Sequence, residues 1–490
     1  MESHAVPHAD SHAKVTKRPL NTWEVTAISV GFMGPVMAMS LNGIGVAGLV
    51  GKAVPFTFLV SFVGSLFVAY AFVRLLRTVT HAGSVYALAG VTLGPKAGFF
   101  GGFALLGTYI FMTACILGAC AVFFEAMLEQ FNTAELGLAW LIIPIAVAVI
   151  GAILNLRNSQ LTARTTLFIG LAGIVVMLVL SVIILVAVTG DNAPASTGFD
   201  WEALSPAVNP WSAIMTASVF GFLSWAGFES GSSLGEETNQ PQRIIPRSLL
   251  LAVVVGGFVY TFVMFAQSLG FGTDEEGIAA FAGASSTLTT LGSTYVGSWF
   301  AVLLSIIAFA VAFGAFLSSS TATSRLLFAL ARDGFGPAKF AERHPSSGVP
   351  VPAVLFTNGL SIVMIVVLGN CHVSPVDVYY WYATIATLCM VVAYGMASAG
   401  AIVHILRRGN QVPYWEIIFP VLALAYLGFV YVVQVSGQKP RTTTSLGFPA
   451  PGASLAHWSS KQGPSSRARS AEDGPAPTML PPTSPTSITS

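Results

Sequence analysis

Apolar runs of eighteen residues or more recur along this 490-residue chain, from about residue 24 to about residue 435. Inside a bilayer no water meets a stray N–H or C=O group, so such a run folds with its backbone bonds closed internally, as a helix does. Only 9% of the residues are charged and 54% are hydrophobic, whereas about a quarter of an ordinary soluble domain is charged. The expected class is an all-α polytopic membrane protein. Eleven spans are predicted, at approximately 24–49, 54–76, 98–124, 137–156, 165–189, 211–236, 247–271, 296–330, 351–369, 376–404 and 414–435. Spans one, six, eight and ten are long, which fits tilt or a helical break.

The connectors alternate in sign. One set carries Lys14, Lys17 and Arg18, then Arg74, Arg77 and Lys96, then Arg157 and Arg164, then Arg243 and Arg247, then Arg332, Lys339 and Arg343, then Arg407 and Arg408. The other carries Lys52 as its one base, with Glu129, Glu135, Asp191, Asp200, Glu202, Asp274, Glu275, Glu276 and Asp377. Basic connectors stay in the cytoplasm. The N-terminus is therefore expected there, in a multi-pass protein of the cell (plasma or inner) membrane. Residues 1–20 read as a disordered cytoplasmic tail. Its His4, His8 and His12 would align on a helix and offer metal ligands, but nothing else there favours a helix. Eleven spans that start inside leave the C-terminus outside, where Lys439 and Arg441 break the same rule. Residues 437–490, rich in Pro, Ser, Thr and Ala, read as a second disordered tail. That tail stands where a twelfth span is missing, through an altered frame or a truncation, or it is a natural tail. The four cysteines (Cys115, Cys120, Cys371, Cys389) form no CxxC and no disulfide framework.

Two of the spans are interrupted. Gly31 to Gly45 reads GFMGPVMAMSLNGIG, and Phe220 to Gly231 reads FGFLSWAGFESG. Each carries Gly, Pro or a charge near its middle. A broken helix survives in lipid only where protein or a water-filled cavity receives the freed backbone groups. Such breaks in corresponding positions of two halves point to a secondary transporter's substrate site.

Three further stretches carry a family resemblance. Gly227 to Arg247 reads GFESGSSLGEETNQPQRIIPR, Thr323 to Gly334 reads TSRLLFALARDG before Pro337 and Gly348-Val-Pro-Val-Pro-Ala353, and His81-Ala-Gly-Ser-Val-Tyr86 precedes Leu93-Gly-Pro-Lys-Ala-Gly98. Together they resemble the amino acid–polyamine–organocation transporter superfamily, over about residues 20 to 435. Gln240, between Asn239 and Pro241, is a small departure. The resemblance implies a leucine-transporter-type fold of five plus five helices in inverted repeat, with helices one and six discontinuous. The transporter domain would run over 21–435, with repeats at about 21–190 and 208–405 and an eleventh span at about 414–435.

The resemblance also implies where a substrate sits. A half-helix N-terminus offers free N–H groups and a positive dipole end to a carboxylate. Pro35 lacks an N–H and disfavours helix at Gly34, so the N–H groups from Val36 through Met37 to Met39 would meet the carboxylate. The carbonyls around Phe222, Leu223 and Ser224 would meet the ammonium. Trp225 and Phe228 flank Gly227 and would gate the site, or else pack on a neighbouring helix. Asn42, Thr113 and Ile116 are further pocket candidates. Three roles compete for Glu229, the deepest carboxylate: capping or gating, holding a cationic substrate, and carrying a coupling proton. Ser318, Ser319 and Thr321 would complete a sodium site with span-one carbonyls, or else bond back to their own helix. No charge lies between Arg164 and Asp191, so Gly170 and Gly173 occupy the region where some relatives hold a lysine.

The expected function is transport of an amino acid or related amine by alternating access, coupled to protons or working by exchange. The uncharged pocket favours a neutral or weakly polar amino acid, with polyamines left open. A non-transporting nutrient sensor, or a permease homologue disabled by its altered C-terminus, is the alternative. An enzyme is not expected, because the spans hold no metal-ligand spacing, phosphate loop or nucleophile motif. No cofactor or metal is expected beyond a coupling proton or sodium ion. The expected partners are the small-molecule substrate and the bilayer, with no nucleic acid. GxxxG-like spacing, as in Gly94 to Gly98, serves helix packing and specifies no oligomer.

Overall fold

A computed structural model describes residues 21–78, 84–131, 137–157, 159–190, 195, 198–345, 348–407 and 412–436, without the side chains of 84, 159–167 and 233–237. Both predicted tails, their histidines, and the side chains of Glu236 and Glu237 lie outside the described residues. The chain forms α1 (Thr22–Met33), α2 (Pro35–Val50), α3 (Val54–Leu76), α4 (Ser84–Leu93), α5 (Pro95–Glu129), α6 (Ile142–Arg157), α7 (Ser159–Val188) and α8 (Trp211–Leu223). It continues with α9 (Pro241–Phe271), α10 (Glu275–Gly283), α11 (Thr287–Tyr295), α12 (Ser298–Arg332), α13 (Val351–Asn370), α14 (Pro375–Arg407) and α15 (Ile418–Ser436).

Several of these helices start where a proline can be tolerated. Pro35, Pro95 and Pro241 open α2, α5 and α9, since a first-turn residue needs no N–H and suits a fixed φ. This moves two predicted boundaries. Helix α5 begins at Pro95 rather than 98, and α9 begins at Pro241 and runs through Pro246 rather than starting after it. Nine helical stretches among the described residues are long and apolar enough to cross a membrane. Eleven were predicted. The 42-residue stretch Pro35–Leu76 is one of the nine although Gly51–Ala53 turns within it, and the α-helical part of span six stops at Leu223.

Lipid gives two helices no hydrophobic reason to meet, so small residues that allow close approach decide the contacts. Helix α5 runs against α4, α12 and α14, and α3 runs against α8, α9 and α15. A Cβ on Gly98 of α5 would stand 2.7 Å from the Gly90 backbone of α4. One on Gly64 of α3 would stand 2.5 Å from the Tyr426 ring of α15. Polar side chains add hydrogen bonds between helices. Asn155 Nδ2 donates to Ser320 Oγ at 3.2 Å, Thr321 Oγ1 to Asn155 Oδ1 at 3.1 Å, and Asn358 Nδ2 to Ser320 Oγ at 2.9 Å, joining α6, α12 and α13.

Charged contacts gather at two ends of the bundle. At one, Arg74 Nε lies 3.3 Å from Glu416, to which Tyr70 also donates, and Tyr86 donates to Asp333 at 2.8 Å. At the other, Lys52 in the turn after α2 meets Glu202 at 2.6 Å and Asp200 at 3.0 Å. Those two carboxylates, Glu202 first, hold the Lys52 ammonium above the ordinary lysine range.

The close approaches predict a graded response to glycine replacement. Gly98→Ala meets backbone that cannot rotate away and should destabilise the folded protein by about 1–3 kcal/mol. Gly359→Ala, in α13 with nothing within 4 Å, should leave the detergent melting temperature unchanged or slightly higher. Equal melting of the two variants would refute this account of the α4–α5 contact.

Candidate functional site

The two sequence breaks meet in space. Helix α1 ends at Gly34, whose φ of 58° and ψ of 61° place it in the left-handed region. Its N–H donates to Gly31 O at 3.3 Å. Helix α2 then starts at Pro35, which has no N–H, and Ala38 N–H already donates to Gly34 O at 2.9 Å. That leaves the Val36 and Met37 N–H groups without a partner in their own helix. The free-donor set is thus narrower than the predicted stretch from Val36 to Met39. The carbonyl side of α2 is well satisfied. Met39 O accepts from Gln267 Nε2 at 3.0 Å and Thr287 Oγ1 at 3.1 Å, and Leu41 O accepts from Tyr380 OH at 2.5 Å.

The second break follows α8. Trp225 and Ala226 donate their N–H groups to Phe222 O and Leu223 O, each at 3.0 Å, in a tightened turn. Gly227 then takes φ 91°, and a 3₁₀ segment runs from Phe228 to Glu237. Gly227 has two reasons to be glycine. Its φ strains any L side chain, and a Cβ there would stand 1.9 Å from Phe32 Cδ1. Phe32 lies two residues before Gly34, so the ring of one break is seated on the backbone of the other.

Side chains join the breaks a second time. Asn42 Nδ2 in α2 donates to Ser224 Oγ at 2.8 Å, and Tyr379 OH in α14 donates to Asn42 Oδ1 at 2.8 Å. All three residues are buried. Below Gly227, Glu229 is wholly buried. Tyr109 OH from α5 donates to its Oε1 at 2.9 Å, and Tyr394 OH from α14 donates to its Oε2. The Tyr394 ring packs edge-on against Phe72 at 5.2 Å and Phe228 at 5.5 Å.

The remaining predicted residues fall in distinct places. Met37 folds back so that its Cε stands 3.1 Å from where a Gly34 Cβ would be, with Ala315 of α12 beside it. Val36 packs on α7, with its Cγ2 2.8 Å from a Cβ built on Gly173. Trp225 stacks on Phe62 at 6.2 Å and donates Nε1 to Val253 O at 3.3 Å, which turns it into α3 and α9. Phe228 lies against Phe72 at 5.5 Å. The α12 hydroxyls are not brought together. Ser318 donates back to Gly314 O at 3.0 Å, and Thr321 to Leu317 O at 2.8 Å. Of the three, Ser319 faces α5, 2.9 Å from Thr113 Oγ1, which Thr323 of α12 also meets at 3.3 Å. Ile116 is buried in the main core cluster.

Sequence reading passed over Phe32, Tyr109, Tyr379 and Tyr394. The signal available for the tyrosines was a hydroxyl in the middle of an apolar span, which needs a partner there.

The profile of the family described as Amino acid permease matches residues 20–453. The chain is 24% identical over 367 residues to the low-affinity putrescine importer PlaP of Escherichia coli (strain K12), covering 74% of this chain and 77% of PlaP. It is 24% identical over 452 residues to the branched-chain amino acid permease BcaP of Bacillus subtilis (strain 168), covering 87% and 91%. It is 23% identical over 368 residues to the methylthioribose transporter of the same strain, covering 70% and 73%.

The Glu229 geometry makes a stability prediction. Glu229→Ala strips both tyrosine hydroxyls of their acceptor, at about 1–3 kcal/mol for each buried donor left unpaired. Glu229→Gln keeps an acceptor oxygen. Melting temperatures in detergent should therefore fall in the order native, Glu229→Gln, Glu229→Ala. An alanine variant as stable as the glutamine variant would contradict the assigned bonds.

Proposed function

The chain belongs to the amino acid permease family, and from that premise we propose that it is a secondary active transporter moving an amino acid or a related amine across the cell membrane by alternating access. Permeases are transporters and not enzymes. The observation that carries the mechanism is the contact between the two helix breaks, Phe32 on Gly227, with free donors at Val36 and Met37 on one side and the Phe222 and Leu223 carbonyls on the other. The two carbonyls already accept from Trp225 and Ala226 and offer their second lone pair, so an amino acid's carboxylate and ammonium each find a backbone partner with no charged side chain consumed.

The inverted five-plus-five repeat has a parallel in element lengths. The helix before the first break, α1, has 12 residues, and the one before the second, α8, has 13. The basic end, with Arg74, Arg332 and Arg407, faces the cytoplasm in this reading, which places α1 and the N-terminus there. Substrate release to that side requires α1 and the 228–237 segment to part from α5 and α14. The Tyr109–Glu229–Tyr394 bonds oppose that parting, so Glu229 serves as the inner gate. Its burial also favours coupling to protons, or exchange, over sodium.

Uptake into proteoliposomes tests the proposal. Saturable uptake of a radiolabelled amino acid or amine is expected, stimulated by an inward proton gradient or by internal substrate, and not by sodium. Gly227→Ala should cut the rate at least about tenfold, equivalent to about 1.4 kcal/mol, while Gly359→Ala retains it. Absence of flux from folded protein under every gradient would refute transport in favour of a sensor.

A further inference from the structure

Among the described residues one carboxylate is buried and no lysine or arginine is, and that carboxylate, Glu229, has both oxygens engaged. Resting on the transport reading above, we propose that Tyr109 and Tyr394 set the charge of the substrate. By holding Glu229 they withhold the one buried carboxylate among the described residues, so the site takes α-amino acids with uncharged, apolar side chains. It rejects diamines, cationic amino acids and acidic amino acids.

Unpaired charge is what excludes the alternatives, because a buried ion without a partner is costly. A diamine brings two ammonium groups. One suits the carbonyls of Phe222 and Leu223. The other would face the Val36 and Met37 N–H groups, which are donors at the positive end of α2, where an amino acid presents its carboxylate. A cationic side chain needs either a carboxylate or an open aromatic face. The aromatic rings at the break already pack on one another. Phe228 is 5.5 Å from both Phe72 and Tyr394, Trp225 is 6.2 Å from Phe62, and Phe32 is 6.0 Å from Tyr109. On α5 and α14 the other described carboxylates are remote. Glu125 lies sixteen residues beyond Tyr109 in α5, about 24 Å along the helix, and Asp377 is exposed at the start of α14. An acidic side chain would meet no buried cation at all.

An apolar side chain meets the opposite situation. Met37 folds over Gly34 beside Ala315, and an unbranched thioether adapts to side chains of differing shape. The two tyrosines act through Glu229 and are therefore positioning residues rather than direct ligands.

Equilibrium binding by calorimetry, on the purified full chain in lipid nanodiscs, separates these possibilities with leucine, methionine, putrescine, arginine and glutamate as probes. Leucine or methionine should bind at least about 100-fold more tightly than the three charged probes. Tyr394→Phe removes one donor from the Glu229 carboxylate, leaving Tyr109 and the Gly227 and Glu229 N–H groups on it, and should tighten putrescine about tenfold, a larger gain than for leucine. A residue that merely supported the fold would weaken every ligand when replaced. Should Tyr394→Phe fail to fold, Tyr109→Phe removes the other tyrosine donor and carries the same expectation. Putrescine or arginine bound by the native chain as tightly as leucine would overturn the charge assignment while leaving transport standing. Native preference for leucine with no gain for putrescine in either tyrosine variant would overturn the role of the tyrosines. Folded protein that binds none of the five would overturn the transport reading itself.

Discussion

A helix that stops inside a membrane leaves peptide groups with no water to turn to, and much of this molecule is arranged around two such stops. Gly34 and Gly227 both adopt backbone that other residues resist. Each is then held in place by what surrounds it. Phe32 covers Gly227, and Met37 covers Gly34. Thr287 and Gln267 bond the Met39 carbonyl. Asn42 ties α2 to the turn after α8. The donors of Val36 and Met37 lack a partner in their own helix, and that residue of unmet demand is what a ligand can use.

Movement at the breaks needs a frame that does not follow. Helices α6, α12 and α13 share the Asn155–Ser320–Asn358 hydrogen bonds, and α5 lies against α12 through Thr113 and Ser319. Helix α1 packs along α12 and meets α5 through the Phe32 and Tyr109 rings, while the second break meets α5 through the Tyr109–Glu229 bond. Helix α15 contributes from the far side. Tyr426 donates to Ser218 O at 3.4 Å and packs on Phe222 at 5.5 Å. The eleventh span thus bears on the half-helix that ends at the second break, rather than standing apart from it.

The membrane class and nine long apolar helices among the described residues were legible in the sequence because each has a one-dimensional signature. Apolar runs mark spans, and Gly-Pro or Gly next to a charge marks a break. What escaped was long-range pairing. Nothing local in Tyr109 or Tyr394 says that both reach one carboxylate 120 and 165 residues away. Trp225 illustrates the same limit. Its position beside Gly227 suggested a gate, yet direction is set by helix phase after the break, and it faces Phe62 and Tyr260 instead. The α12 hydroxyls point apart for a related reason. Ser318, Ser319 and Thr321 are consecutive enough to look like one site, but a turn of 3.6 residues points them at different neighbours.

The placement of Glu229 bears on why a buried acid is kept at all. As a cap it would need only backbone donors, and a neutral side chain could serve. Backbone N–H groups of Gly227 and Glu229 do bond to it, and two tyrosine hydroxyls from different helices, α5 and α14, make it a cross-brace as well, because both bonds fail together if the 228–237 segment withdraws. Charge-assisted hydrogen bonds are about twice as strong as neutral ones, so an ionised Glu229 makes a stiff brace and a protonated one a weaker brace. Protonation of this one side chain would therefore weaken the bonds that join the 228–237 segment to α5 and α14.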